Sequence, residues 1–322
     1  MRATRWLGLL GLYVGAQGLA LALALPFRSA GFSNGSSGSS LFAPLLLIAA
    51  VVVVPIVLLV FARRSNLLRA LRALLLFAIG GALFLTLVET IYLVLPQGYL
   101  LMPYSAGTVI YPSIPLAASI AVVLFLALVM EPQWYVVDTA GFVAAAAVIA
   151  ILGGSFAILP VFVLLAGLAV YDYIAVYRTK HMLRLADLAV DMKLPILMVM
   201  PEEANFDYPS SPSLHEIRET PVDERNALFM GLGDVVIPGV LVASAFVWLP
   251  ADPAVLGLPA SLWVALGAMI GSLIGYAFLM RRVLQGNAQA GLPFLNSGAI
   301  LGYVVAFLLV YHSFGFGLTG AL

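Results

Sequence analysis

Long apolar runs recur along this 322-residue chain, and their length constrains the fold more than any other feature. A helix needs roughly 20 apolar residues to cross the ~30 Å hydrocarbon layer of a bilayer. Because lipid cannot satisfy open backbone, and because the runs lack the alternation of barrel strands, we expect them to be helices. The sequence therefore predicts an all-α polytopic membrane protein with about nine transmembrane helices. The nine runs are Trp6–Leu25, Leu41–Phe61, Leu71–Leu95, Ala106–Met130, Trp134–Leu152, Ala157–Tyr177, Ala227–Leu249, Ser261–Met280 and Leu292–Phe314.

The composition supports a lipid bilayer as the solvent and excludes several functions. Hydrophobic residues make up 63% of the chain and charged residues only 9%, against about 25% charge in a soluble domain. Basic and acidic side chains cancel, so nothing favours a nucleic acid partner. The absence of cysteine excludes disulfides, thiolate zinc sites and cysteine nucleophiles. With three histidines and no HExxH pattern, no metal site is expected.

The distribution of lysine and arginine predicts the orientation of the helices. In the nine-span arrangement every basic residue except Arg28 falls on one side of the membrane. This bias predicts a multi-pass protein of the cell membrane whose N-terminus lies in the cytoplasm and whose C-terminus lies on the outer side. Residues 178–226 then form a long cytoplasmic loop inside a single membrane-embedded domain, 1–322. Within that loop Leu194–Met200 is apolar, is interrupted by one proline and followed by another, and is too short to span, which predicts a strand or an interfacial segment.

Four acidic residues lie inside predicted spans, where a carboxylate costs several kcal/mol. They are Glu89, Asp138, Asp172 and Asp234. Asp172 precedes Arg178 by six residues, which places it ~9 Å inside the cytoplasmic boundary, and Asp234 lies ~12 Å inside the same boundary. Since their helices run in opposite directions and flank one loop, the two carboxyls can meet. Glu89 lies near the opposite side of the membrane and is expected to be a polar anchor or a residue of an outer cavity. Asp138 is expected to be an interfacial acid, the alternative being that it modulates the nearby pair of aspartates.

Two carboxyls in contact at low dielectric share a proton, which supplies a base to activate water and an acid to protonate a carbonyl oxygen. Gly231 and Gly233, in the segment Gly231-Leu232-Gly233-Asp234, leave room for a backbone to approach. Tyr171 is placed to supply a phenolic hydrogen bond. Three alternatives remain at this point: a buried contact that only joins two helices, an ion or proton-coupled transporter that uses the intramembrane aspartates, and a prepilin-type peptidase.

Three short motifs in this chain resemble those of the presenilin and signal peptide peptidase family. They are Tyr171-Asp172, the GLGD segment at 231–234, and Pro293-Phe294-Leu295 at the start of the last predicted helix. The family's motifs are YD, GxGD and PAL. Their order, the long loop and the predicted topology agree, so the chain looks like a prokaryotic presenilin homologue of the archaeal kind.

The resemblance implies an intramembrane aspartyl protease of the GxGD type that cleaves transmembrane helical substrates, with Asp172 and Asp234 as the catalytic dyad. Tyr171, Leu232 and the flanking glycines would bind substrate or shape the site, together with Pro293, Phe294 and Leu295. No cofactor is implied, because the shared proton replaces a metal. Phe294 departs from the family alanine and puts the fit of the substrate in doubt.

Two further sequence features lead to expectations about packing and substrate capture. The segment Ile196–Met200 could offer a strand edge to the unwound backbone of a substrate, or it could be a connector that rests on the membrane. Spaced glycines allow two of the last helices to approach closely. These glycines are Gly267, Gly271 and Gly275 in one helix and Gly298 and Gly302 in the next.

Overall fold

Nine α-helices make up most of the part of the chain that the structure describes. A computed structural model describes residues 2–29, 41–61, 65–94, 102–103, 109–110, 113–179, 197–203, 205–208, 226–283, 285 and 289–318. Most of the predicted loop 178–226 lies outside these residues. The helices are α1 (Arg2–Ser29), α2 (Phe42–Phe61), α3 (Ser65–Val94), α4 (Ser113–Met130), α5 (Trp134–Ser155), α6 (Ile158–Tyr173), α7 (Leu232–Trp248), α8 (Ala260–Val283) and α9 (Leu292–Tyr311).

The helices are apolar enough to make a polytopic membrane protein, as the sequence predicted. Among the described residues, six helical segments are long and apolar enough to cross a bilayer, and three shorter apolar segments lie in α2, α4 and α7. Many large apolar side chains are exposed, such as Phe77 at 78%, Val123 at 65% and Leu309 at 70%. Exposed apolar surface on this scale would drive a water-soluble protein to aggregate, and a bilayer accommodates it.

Two of the predicted spans begin later than the sequence indicated. The fourth was predicted from Ala106, but α4 begins at Ser113, and Val109–Ile110 (β2) pairs instead with Met102–Pro103 (β1). Pro112 explains the late start, because a proline disfavours helix in the residue before it, whereas Pro115 lies in the first turn of α4, where proline is tolerated. The seventh was predicted from Ala227, but Ala227–Gly231 is a strand and the helix begins at Leu232.

Helix α7 lies at the centre of the bundle, where it contacts α1, α5, α6, α8 and α9. Its partner helices α8 and α9 lie closest to each other because glycines face glycines. A Cβ on Gly271 would collide with the backbone of Gly298 and Gly302, and a Cβ on Gly302 would collide with that of Gly267 and Gly271. The close approach of these two helices, expected from the spaced glycines, is therefore confirmed.

A two-stranded antiparallel ribbon joins the loop to the central helix. Strand β3 (Leu197–Pro201) pairs with β4 (Ala227–Gly231), with Leu197 opposite Gly231 and Val199 opposite Phe229. The strand predicted in Leu194–Met200 is thus confirmed over its second half. Because β4 runs directly into α7, the ribbon determines where that helix begins.

Candidate active site

Asp172 lies in the last turn of α6 and is buried, at 6% exposure. Immediately after it the helix widens into a π-helical turn, Ile174–Arg178. Such wide turns are rare and occur frequently at functional sites. Asp172 therefore lies next to a local irregularity of the helix.

Asp234 lies in the first turn of α7, three residues after the strand ends at Gly231. Gly231 has an extended conformation, with φ −64° and ψ 135°, and a Cβ there would lie 3.4 Å from Asp234 Oδ2. A Cβ on Gly233 would meet nothing within 4 Å. The first glycine therefore lies in ordinary contact range of the carboxyl, and the second borders open space in which another backbone can lie.

The N-terminus of α9 brings the two aspartates together. The Leu292 backbone N–H donates a hydrogen bond of 3.1 Å to Asp172 Oδ2. A Cβ on the preceding residue, Gly291, would lie 2.8 Å from Asp234 Oδ1 and 3.0 Å from its Oδ2, so this glycine lies directly against the second carboxyl. The two carboxyls also interact electrostatically with each other. Asp172 and Asp234 thus converge on one short segment, Gly291-Leu292.

Three hydrogen bonds hold the start of α9 against α6 and the π-helical turn that follows it. The Asn296 side chain, buried in α9, donates to the Leu165 carbonyl of α6 at 2.9 Å. At the membrane edge the Tyr177 hydroxyl donates to Gln289 Oε1 at 2.7 Å and accepts from the Ala290 N–H at 3.3 Å. Together these contacts place the start of α9 beside Asp172.

Sequence reasoning missed Gly291, Tyr177 and Gln289. The one available signal was position, since Gly291 directly precedes the Leu-Pro-Phe-Leu segment and Tyr177 follows Asp172 by five residues. Neither pattern identifies a contact that depends on how three helices meet in space.

The remaining predicted site residues differ in how deeply they are buried. Pro293 occupies the first turn of α9, where its missing N–H removes no helical hydrogen bond. Tyr171, Leu232 and Phe294 are half-buried, and Leu295 is fully buried. Phe294 packs against the main apolar core. The bulk that replaces the family alanine is thus partly absorbed by the protein interior.

The other two intramembrane acids lie apart from this cluster. Glu89 is half-buried in α3. Asp138 was expected to be an interfacial acid, and this expectation is wrong: the side chain is buried, at 4% exposure, and its Oδ1 accepts a 2.7 Å hydrogen bond from the Val199 N–H of β3. Helix α5 begins at Trp134 as predicted, but the sequence did not show that the Asp138 side chain faces the protein interior.

Within the described residues, no group of three or more His, Asp or Glu side chains is arranged to hold a metal ion. The chemistry that the site offers is that of two carboxyls beside a helix N-terminus, where unpaired N–H groups and the helix dipole favour negative charge.

Comparisons with known proteins agree with this arrangement. Residues 10–311 match the family described as signal-peptide peptidase, presenilin aspartyl protease. The chain belongs to this family. It is also similar to a solved structure of a presenilin family intramembrane aspartate protease in the C222 space group, with 31% identity, a TM-score of 0.58, and coverage of 94% of this chain and 99% of the other.

A second presenilin family structure, in the P2 space group, is 33% identical with a TM-score of 0.57, covering 92% of this chain and 95% of that one. No curated protein matches the chain significantly. The presenilin family match makes this chain a multi-pass membrane protein and a presenilin-like intramembrane aspartyl protease, and it gives no support to the transporter alternative.

Proposed function

We propose that the protein is a GxGD-type intramembrane endopeptidase that hydrolyses peptide bonds of transmembrane helical substrates through the Asp172–Asp234 dyad. The observation that carries this proposal is the convergence of both carboxyls on Gly291-Leu292. We place the enzyme in the cell membrane, with the dyad near the cytoplasmic face.

The reaction requires one protonated and one ionised carboxyl. The ionised carboxylate takes a proton from water as the water oxygen attacks the carbonyl carbon of the substrate. The protonated carboxyl donates its proton to the carbonyl oxygen, which gives a gem-diol intermediate. The intermediate then returns a hydroxyl proton to one carboxylate while the C–N bond breaks, and the leaving amide nitrogen takes a proton from the other carboxyl.

The ribbon offers one strand edge to an unwound substrate. In an antiparallel pair, alternate residues turn their N–H groups toward and away from the partner strand. Glu202 N–H bonds the Asn226 carbonyl across the ribbon, whereas Val199 N–H points away, toward Asp138. By the same alternation, Ala227, Phe229 and Gly231 direct their backbone groups away from β3.

This alternation changes the expectation that Ile196–Met200 would pair with substrate. Ile196 lies outside the described residues, and the outward N–H of Val199 already has the Asp138 carboxylate as its partner. We therefore place the substrate strand on the outer edge of β4, which ends three residues before Asp234. An extended substrate there would satisfy its exposed backbone groups and bring its carbonyl to the dyad.

The dyad is tested by Asp172→Asn and Asp234→Asn. Each should lower the rate of cleavage of a transmembrane peptide, followed by mass spectrometry of the fragments, on the order of 10⁴-fold, and the double variant should be no worse than either single one. Glu89→Gln is the matched control, an intramembrane acid outside the site, and should cleave normally. Efficient proteolysis by either single aspartate variant would reject the dyad.

The strand edge is tested by Phe229→Pro. Proline at this position removes only an outward N–H and leaves the bonds between β3 and β4 intact. We expect KM to rise about tenfold, which corresponds to the ~1.4 kcal/mol of one lost hydrogen bond. Phe229→Leu controls for the lost ring. Equal KM values for the proline and leucine variants would exclude pairing at this edge.

A further inference from the structure

Asp138 is a buried carboxylate to which the proposed reaction assigns no part. It lies in the second turn of α5, four residues after the helix begins at Trp134. Its side chain is 4% exposed, and Oδ1 accepts the Val199 N–H at 2.7 Å. A buried carboxylate in a membrane helix is expensive, so a strong and specific hydrogen bond of this kind calls for a role.

The position of the bond shows what the carboxylate does to the ribbon. The Val199 N–H is the middle one of the three outward positions of β3, so Asp138 occupies the centre of that strand's free edge. A strand edge that is covered in this way cannot pair with another chain. The β4 edge is on the opposite side of the ribbon, and α5 does not cap it through this contact.

The surrounding packing makes the anchor rigid. Val199, Ala227 and Tyr208 are buried in one apolar cluster with residues of α5, including Val137 and Ala140. Tyr208 lies outside the spans, and burial together with the Asp138 carboxylate raises its pKa, so its hydroxyl stays neutral beside the carboxylate. The ribbon is therefore fixed to α5 by a buried hydrogen bond set in a close-packed apolar surface.

A shift of the ribbon would be passed directly to the catalytic end of α7. Strand β4 ends at Gly231, which is the N-cap of α7, and Asp234 follows within the first turn. The position of β4 relative to α5 thus fixes both the proposed substrate edge and the entry of the chain toward Asp234.

We propose that Asp138 is a positioning residue of this protease: by binding the Val199 N–H it closes the outer edge of β3, holds the ribbon on α5, and sets the register in which a substrate strand on β4 meets the dyad. The proposal rests on the proposed function. It assigns to α5 a part in the choice of the cleaved bond that is separate from the dyad chemistry.

The test compares Asp138→Ala, which removes the acceptor, with Asp138→Asn, whose amide oxygen can still accept the Val199 N–H. Asp138→Ala should raise KM about tenfold, or ~1.4 kcal/mol, and spread cleavage over neighbouring bonds, while kcat summed over all products changes much less. Asp138→Asn should return KM to within about twofold of wild type and restore the single main product. Glu131→Ala, an exposed acid at the same end of α5, is the control and should behave as wild type.

A double-mutant cycle isolates the bond itself. Val199→Pro deletes the N–H that Asp138 accepts, so the Asp138→Ala and Val199→Pro effects on KM should not add. Additive effects, or an Asp138→Asn variant as defective as the alanine variant, would overturn the proposal. So would an Asp138→Ala variant with wild-type KM and an unchanged product pattern.

Hydrogen exchange separates this proposal from the proposed function. Measured without substrate on the full-length protein in detergent or lipid, the segment Leu197–Pro201 should exchange faster in Asp138→Ala than in wild type and in Asp138→Asn. Unchanged exchange would show that Asp138 does not anchor the ribbon, whatever the activity. If exchange is faster in Asp138→Ala but the Asp172→Asn variant still cleaves, the anchoring role of Asp138 stands and the dyad is rejected.

Discussion

The contact between Gly291 and the Asp234 carboxyl can be tested by adding a single methyl group. Gly291 has φ −79° and ψ −47°, a conformation that alanine adopts without strain. Gly291→Ala therefore changes the space beside the carboxyl and leaves the backbone free to keep its path. We expect a loss of turnover with little loss of fold stability.

The size of the effect follows from the distances. The new Cβ would lie 2.8 Å from Oδ1 and 3.0 Å from both Cγ and Oδ2 of Asp234. An ordinary contact begins at 3.4 Å, so the carboxyl must move by about 0.6 Å. Because a misplacement of ~1 Å in an active site can cost 10²-fold, we expect kcat to fall roughly 10- to 100-fold.

The assay is steady-state cleavage of a transmembrane peptide, together with the thermal unfolding midpoint of each variant. Gly11→Ala is the matched control, because a Cβ on this α1 glycine meets nothing within 4 Å. Gly291→Ala should lower kcat and leave KM near that of wild type, since the substrate strand lies on β4. A wild-type kcat in Gly291→Ala would refute the placement of this glycine against the catalytic carboxyl. An unfolding midpoint low enough to account for the lost activity would contradict the expectation that the fold stays stable.

Three further predictions concern the proposed dyad, the contact between α8 and α9, and Phe294, which replaces the family alanine. Activity should fall at both acid and alkaline pH, because the reaction needs one protonated and one ionised carboxyl; a flat profile of kcat/KM measured under chemistry-limited conditions would contradict a shared proton. Gly271→Ala should lower the unfolding midpoint, because its Cβ would meet the backbone of Gly298 and overpacking costs about 1–3 kcal/mol, and an unchanged midpoint would contradict the close contact of α8 and α9. Phe294→Ala should change KM among peptides that differ in side-chain bulk near the cleaved bond more than it changes kcat, as measured by competition between two such peptides.

Hydropathy was sufficient to find the helices and the acids inside them, because both depend on the local sequence. The run Ala227–Leu249 is apolar apart from Asp234 and Ser244, so hydropathy could not show that its first five residues form a strand. A short apolar run fits a strand and a buried helix equally well. Pairing with β3, a segment some 30 residues earlier in the sequence, decides between them.

Contacts between elements were out of reach for the same reason. Counting residues along a helix gives a position along its axis, and it places Asp138 four residues after the start of α5. It does not reveal that β3 lies on the same face, so an acid with a buried partner was taken for one facing the headgroups. Gly291 was missed because its role exists only where α9 meets α7.

The site is assembled from chain segments at which regular helix stops or starts. Asp172 precedes a π-helical turn, Asp234 follows the end of a strand, and Gly291-Leu292 begins α9. Helix ends leave N–H groups without partners in their own helix, and here one of them, that of Leu292, binds the Asp172 carboxyl. A substrate helix would also be left with unpaired backbone groups, because its hydrogen bonds must open before a carbonyl can reach the proposed dyad. In the proposed function, helix ends and the outer edge of β4 supply the hydrogen bonds that the opened substrate loses, and the ribbon and the two aspartates therefore have to be held together.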